Sequence, residues 1–283
     1  MKKGINYWSF PGGLTGEKDF AKACKEAKAM GFQGIEVCLF PGGPLDMDMG
    51  SRDIAKLKKT LDDNGLGAAS VTCGSLWEFP LTSSDPAKRE QGKHIVTRCL
   101  EVAGKLGANG ILVVPGAVEI FFLPEAEIVP YDVAMERVRK AVKAVLPVAE
   151  KNKVAIGIEN VWNKLFLSPV EARDFVDSFG SEYVGWFFDV GNIMLTGFPE
   201  QWIHILGKRI KKVHLKDYRK SVGTIDGFVD LLEGSVNWPV VMKALRKVGY
   251  NDYLIAEMIP GYAFAPETRL ENTSRAMDKI MKM

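Results

Sequence analysis

The 283-residue chain has four cysteines, Cys24, Cys38, Cys73 and Cys99, and no two form a C-x-x-C pair. That spacing argues against a cysteine-held structural zinc site and against a disulfide framework. It reads instead as reduced, mostly buried thiols in a cytoplasmic protein. Neither sign of charge dominates: Lys+Arg number 37 and Asp+Glu 35. No basic block or acidic tail stands out, so electrostatics points to neither nucleic acid nor a membrane surface. No run approaches the ~18 apolar residues of a membrane helix. The N-terminus MKKGINYWSF has two lysines but no apolar h-region, and no signal peptide is expected. A G-x-G-x-x-G after the first strand and a P-loop are both missing, which argues against a dinucleotide or nucleotide enzyme. Linkers and low-complexity tracts are missing too, so one domain over 1–283 is the simplest expectation.

What is present is alternation. Short apolar runs at 4–8, 34–39, 68–73, 110–114, 154–158, 184–188, 210–213 and 253–256 read as strands. Between them lie stretches with helical spacing. The first is expected over 16–30 with Thr15 as cap. The third starts at Asp85-Pro86 and stops at Gly107. The fourth covers 131–152, where Pro147 should kink or break it. PGGP at 41–44 is a turn, and 218–236 reads as a long loop. Eight strands alternating with helices imply a parallel sheet with right-handed crossovers, and in this length a closed (β/α)8 TIM barrel fits better than an open sheet.

In such a barrel the chemistry sits at the C-terminal ends of the strands. Four apolar runs in the second half stop at a residue able to bind metal: Glu159, Asp189, His214 and Glu257. They end consecutive strands, and neighbouring strands lie ~4.8 Å apart, so all four could meet around one ion. One such carboxylate alone could merely cap a helix. Three buried together without a cation would be very costly. Three carboxylates and an imidazole suit Mn²⁺ or Mg²⁺, with Co²⁺ or Zn²⁺ as further possibilities.

With these residues in place, the chain resembles the xylose isomerase-like barrel superfamily, most closely its sugar and sugar-phosphate isomerases and epimerases. The matching segments are IEN (158–160), FDVGN (188–192), HLKD (214–217), the stretch GSVNW (234–238) and AEM (256–258). The resemblance implies that Glu159, Asp189, His214 and Glu257 bind the divalent cation, most simply Mn²⁺. It also implies that Glu159 and Glu257 form the acid/base pair. Such enzymes move a stereocentre or carbonyl of a ketose or ketose phosphate by removing the proton next to the carbonyl, through a metal-stabilised enediolate. A homo-oligomer, dimer or tetramer, is implied as well. Two positions depart from the free-ketose 3-epimerases: Asn192 stands where they have histidine, and Lys220 where they have arginine.

Those departures turn attention to the phosphate-handling branch. Lys216, Arg219 and Lys220 lie at or just before the loop after strand seven, where barrels often bind phosphate, or are solvated loop residues. Asn192, Glu36 and Trp8 complete the expected substrate-binding set. Glu36 could meet a sugar hydroxyl or support a buried partner. Trp8, Phe10, Trp77, Phe79 and Trp162 could wall a sugar site or simply pack loops. The apolar 121–123 reads as a lid or subunit contact. Competing readings are a lyase or dehydratase on the same site and a non-enzymatic sugar-binding protein. The DNA-repair endonuclease branch fits less well, because it needs many histidines and this chain has three.

Overall fold

The computed structural model describes residues 1–43, 45–120, 122–123 and 125–283. Eight parallel strands close into a barrel, each paired with its sequence neighbours, and the last pairs with the first. They are β1 (Lys2–Asn6), β2 (Gly34–Leu39), β3 (Gly67–Cys73), β4 (Gly110–Val113), β5 (Ala155–Glu159), β6 (Val184–Asp189), β7 (Ile210–Leu215) and β8 (Tyr253–Ala256). The eight helices are α1 (Phe20–Ala29), α2 (Ser51–Asp63), α3 (Pro86–Leu106), α4 (Tyr131–Asn152), α5 (Pro169–Asp177), α6 (Pro199–Leu206), α7 (Trp238–Lys247) and α8 (Glu267–Ile280). Strands covered on both faces need no polar alternation, which is why β2, β4, β5, β6 and β8 are buried along their whole length. The expected fold class is therefore the observed one. No helix among the described residues is long and apolar enough to cross a membrane.

Local signals set most boundaries. Asp85 caps α3 by accepting from the Ala87 N–H, Pro86 takes the first helical position, and Gly107 ends the helix at φ 81°. The first helix departs from expectation. It starts at Phe20, with Asp19 accepting from the Lys22 N–H, because Gly16 takes φ +76° and Thr15 turns back to the Gly12 carbonyl. Helix α4 runs unbroken through Pro147. The apolar stripe of Val138, Val142, Val145 and Ala149 is buried on both sides of that residue, and its packing outweighs the one lost hydrogen bond. The loop after β7 contains a short antiparallel ladder, Asp217–Tyr218 with Phe228–Val229. In the turn at 41–44, Pro44 lies outside the described residues, as does Phe121 of the apolar 121–123.

The barrel interior is layered. Lys212 fills the bottom, 1% exposed, with Nζ 2.8 Å from Asp252. Glycines make space there: a Cβ on Gly110 would stand 3.3 Å from Lys212 Cε, and one on Gly157 would stand 3.1 Å from Phe187 Cβ. Phe187 fills the middle, its ring 4.5 Å edge-on from that of His214. Above it, at the C-terminal rim, the interior turns acidic.

Candidate metal and acid–base site

Register delivers the four residues to one level. Asp189, the last residue of β6, pairs directly with His214 on β7. Glu159 is the last residue of β5, and Glu257 follows β8. All four are buried, and one potential ligand atom from each lies within 4.8 Å of all the others. His214 Nδ1 stands 3.5 Å from Glu159, 3.8 Å from Asp189 and 3.6 Å from Glu257. His214 Nδ1 has no hydrogen-bond partner among the described residues, and Asp189 Oδ2 accepts none there either, although the Lys216 ammonium stands 3.1 Å from it. Buried polar atoms rarely stay unpartnered. An unpartnered imidazole nitrogen beside three converging carboxylates fits a divalent cation, which would accept its lone pair.

The opposite face of the imidazole is fixed. His214 Nε2 lies 2.8 Å from Glu36 Oε1, and the Glu36 carboxylate also accepts from Asn6 and Ser70. A proton on Nε2 directed at Glu36 leaves the Nδ1 lone pair free for a metal. Of the two roles expected for Glu36, a contact with a sugar hydroxyl and support of a buried partner, this geometry fits the second and corrects its place in the substrate-binding set. Glu36 has no exposed surface, and its carboxylate is already held by three protein groups. Asn192 likewise faces inward. Its backbone N–H donates to Asp189 Oδ1 at 2.8 Å, its amide donates to the Asn160 carbonyl, and its carbonyl accepts from Trp162 Nε1.

Lys216 sits elsewhere than a phosphate contact would. Its Nζ is 3.1 Å from Asp189 Oδ2 and pairs with Glu257. Alternation along β7 explains this, since Lys216 follows the inward-pointing His214 by two residues. Arg219 and Lys220 are farther out. Arg219 pairs with Glu233 at 3.0 Å, and Lys220 Nζ lies 4.8 Å from the Phe198 ring centre. Trp8 is on the rim after β1, against Gly74 of the β3 loop. Trp162, Tyr218 and Phe228 form an aromatic group, with Trp162 5.5 Å from Tyr218 and 5.2 Å from Phe228. Lys216 Nζ is 5.7 Å from the Phe228 ring centre.

Buried charge is balanced by protons and by Lys216. Burial raises Glu159 to about 7, although His214 and Lys216 pull the other way. Burial also raises Asp189. For His214, burial favours the neutral ring, but Glu36 and Glu257 outweigh it and the net shift is upward. Burial pushes Lys216 down, yet Asp189 and Glu257 raise it overall. Glu257 alone among the three carboxylates goes down, because Lys216 and His214 outweigh its burial.

Asn160 was missed by the reading of the sequence. Its side chain accepts from the Asp189 N–H and from Trp186 Nε1, and donates to the Asp189 carbonyl. Its place in the IEN segment beside Glu159 was the available signal.

The model of the xylose isomerase-like TIM barrel family matches residues 24–280. An Escherichia coli (strain K12) protein provisionally named an L-ribulose-5-phosphate 3-epimerase is 22% identical over 263 residues, covering 90% of this chain and 89% of that protein. The D-psicose 3-epimerase of Clostridium cellulolyticum H10 superposes with a TM-score of 0.81 at 20% identity, covering 100% of this chain and 99% of that one. The 3-keto-D-glucoside 4-epimerase of E. coli gives 0.78 at 16% identity, with 100% of both chains covered.

Proposed function

The chain belongs to the xylose isomerase-like TIM barrel family, and from that premise we propose that it is a divalent-metal-dependent epimerase or isomerase of a ketose or ketose phosphate. One observation carries the reading: four buried ligand atoms converge from successive strands, and one of them, His214 Nδ1, has no hydrogen-bond partner among the described residues. The relatives named as epimerases of ketoses, of a ketose phosphate and of a keto-glucoside support the same chemistry.

Held by Glu159, Asp189, His214 and Glu257, a divalent ion would supply Lewis acidity toward a carbonyl oxygen and its neighbouring hydroxyl. The chain's own groups handle the proton. Glu257, kept ionised by Lys216, is the base that removes the proton from the carbon next to the carbonyl. Glu159, the other carboxylate of the pair, returns a proton to that carbon. The ammonium of Lys216 stabilises negative charge developing on a bound oxygen, and the Trp162–Tyr218–Phe228 group shields the reacting carbon from water.

The test is turnover of a panel of ketoses and ketose phosphates by protein loaded with Mn²⁺. The expected products have the mass of the substrate, and Glu257→Gln abolishes their formation while the far-ultraviolet circular dichroism is unchanged. Loss of water from the product would point to a lyase instead. Full activity in Glu257→Gln would remove this residue from the mechanism.

A further inference from the structure

Lys216 is placed against two of the four ligands. Its Nζ stands 3.1 Å from Asp189 Oδ2 and pairs with Glu257 Oε2. Those same two oxygens face His214 Nδ1, at 3.8 and 3.6 Å. The carboxylate oxygens turned toward the imidazole lone pair are thus shared with an ammonium. Among the described residues, no other lysine or arginine comes within ion-pair distance of Glu159, Asp189 or Glu257. The chain fixes the ammonium there. Lys216 directly follows β7, and both neighbouring strand ends are tied to that strand. The Val190 N–H donates to the His214 carbonyl at 3.1 Å, and the Glu257 N–H donates to the Leu215 carbonyl at 3.3 Å. Gly191 lies against the lysine stem, where a Cβ would stand 2.5 Å from Lys216 Cβ and 3.0 Å from its carbonyl oxygen. The Lys216 side chain is 16% exposed.

An ammonium held between two carboxylates stays charged. The three ligand carboxylates and this ammonium leave two negative charges facing an ion, while Glu36 adds its own from the far side of the imidazole. Repulsion between the ammonium and a bound cation grows in proportion to the cation's charge. We propose that Lys216 sets the charge preference of the metal site: it loosens the hold on any cation, and loosens it more for a trivalent ion than for a divalent one. The proposal rests on the metal-site reading of the four-residue cluster. A purely structural Lys216, needed only to hold Asp189 and Glu257 in place, would have the opposite effect, because its removal would scatter the ligands and weaken binding.

The experiment measures Mn²⁺ and Tb³⁺ affinity by competition with chromophoric chelators, at pH 8 and fixed ionic strength. It compares the parent protein with Lys216→Met, Lys216→Gln and Lys216→Arg, and folding is followed by far-ultraviolet circular dichroism. The neutral Met and Gln variants should bind Mn²⁺ about tenfold more tightly or better. Their gain for Tb³⁺ should be larger, roughly thirtyfold for a tenfold gain in Mn²⁺, because the logarithm of the gain scales with ion charge. Lys216→Arg, which keeps the charge, should stay closer to the parent than either. Equal or weaker Mn²⁺ binding by a folded neutral variant overturns the proposal, and so does an equal gain for both ions. Loss of the fold in both neutral variants makes Lys216 a structural counter-ion and overturns it as well. Stoichiometric Mn²⁺ binding by the parent with no gain in the variants removes only the role of Lys216. Failure of the parent to bind either ion removes the metal-site reading, and the proposal with it.

Discussion

Glu36 shows how one buried side chain can control a site it does not line. It is held by Asn6 and Ser70 and meets His214 Nε2 at 2.8 Å. A carboxylate at that position fixes the imidazole tautomer and strengthens Nδ1 as a ligand. Glu36→Gln keeps the shape and removes the charge, so metal affinity should fall by roughly 10–100-fold, measured by competition with a chromophoric chelator. Unchanged affinity would reduce Glu36 to a packing residue. The four converging residues were legible in the sequence because each ends an apolar run at a barrel strand's C-terminal end. The partner of Glu36 was not, since its 178-residue separation from His214 is closed only by the barrel. Lys216 was legible as a cation near the site. That it turns toward Asp189 and Glu257 rather than toward a phosphate depends on the inward phase of β7, which a residue list does not supply.

The loop between β7 and α7 is organised by Asp217. One oxygen accepts from the backbone N–H groups of Tyr218 at 2.8 Å and Val236 at 3.2 Å. The other accepts from the Leu232 N–H at 3.0 Å and Trp238 Nε1 at 2.9 Å. Gly234 passes so close that a Cβ there would stand 2.0 Å from Asp217 Oδ1, which is why the position needs glycine. Asp217→Asn turns an amide nitrogen toward two of the four donors whichever way it flips. The expected cost is about 2–4 kcal/mol of stability, read from the urea midpoint. A midpoint within error of the parent would show that the loop is held by other contacts. Element order and type were largely legible from apolar runs, caps and glycines. The short ladder inside this loop was not, because Asp217–Tyr218 and Phe228–Val229 are too short to carry a strand period. The first helix began later than expected because Asp19 competes with Thr15 as a cap and wins.

At the scale of the whole molecule, the proposed divalent ion would compete with protons for one buried cluster. In the metal-free chain, burial lifts Glu159 to about 7 and lifts Asp189, and His214 is also raised against its burial. Groups raised on folding stabilise the fold fully below their unfolded pKa values, and that stability is lost as pH rises through the folded values. Glu159 therefore places a loss between about pH 4.3, the ordinary glutamate value, and about 7. The metal-free protein should melt lower at pH 8 than at pH 5.5, and saturating Mn²⁺ should raise the melting temperature more at pH 8. A metal-induced shift that is equal at both values would mean that the ion does not replace these protons. The proposed chemistry of this cluster is movement of a proton on the carbon beside a sugar carbonyl. The most direct measurement is proton NMR of ketoses in D₂O with Mn²⁺-loaded protein, after removal of the ion by chelation. The expected result is loss of the signal from the hydrogen next to the carbonyl for at least one ketose, dependent on the ion and on Glu257. Retention of that hydrogen across pentuloses, hexuloses and their phosphates would contradict it.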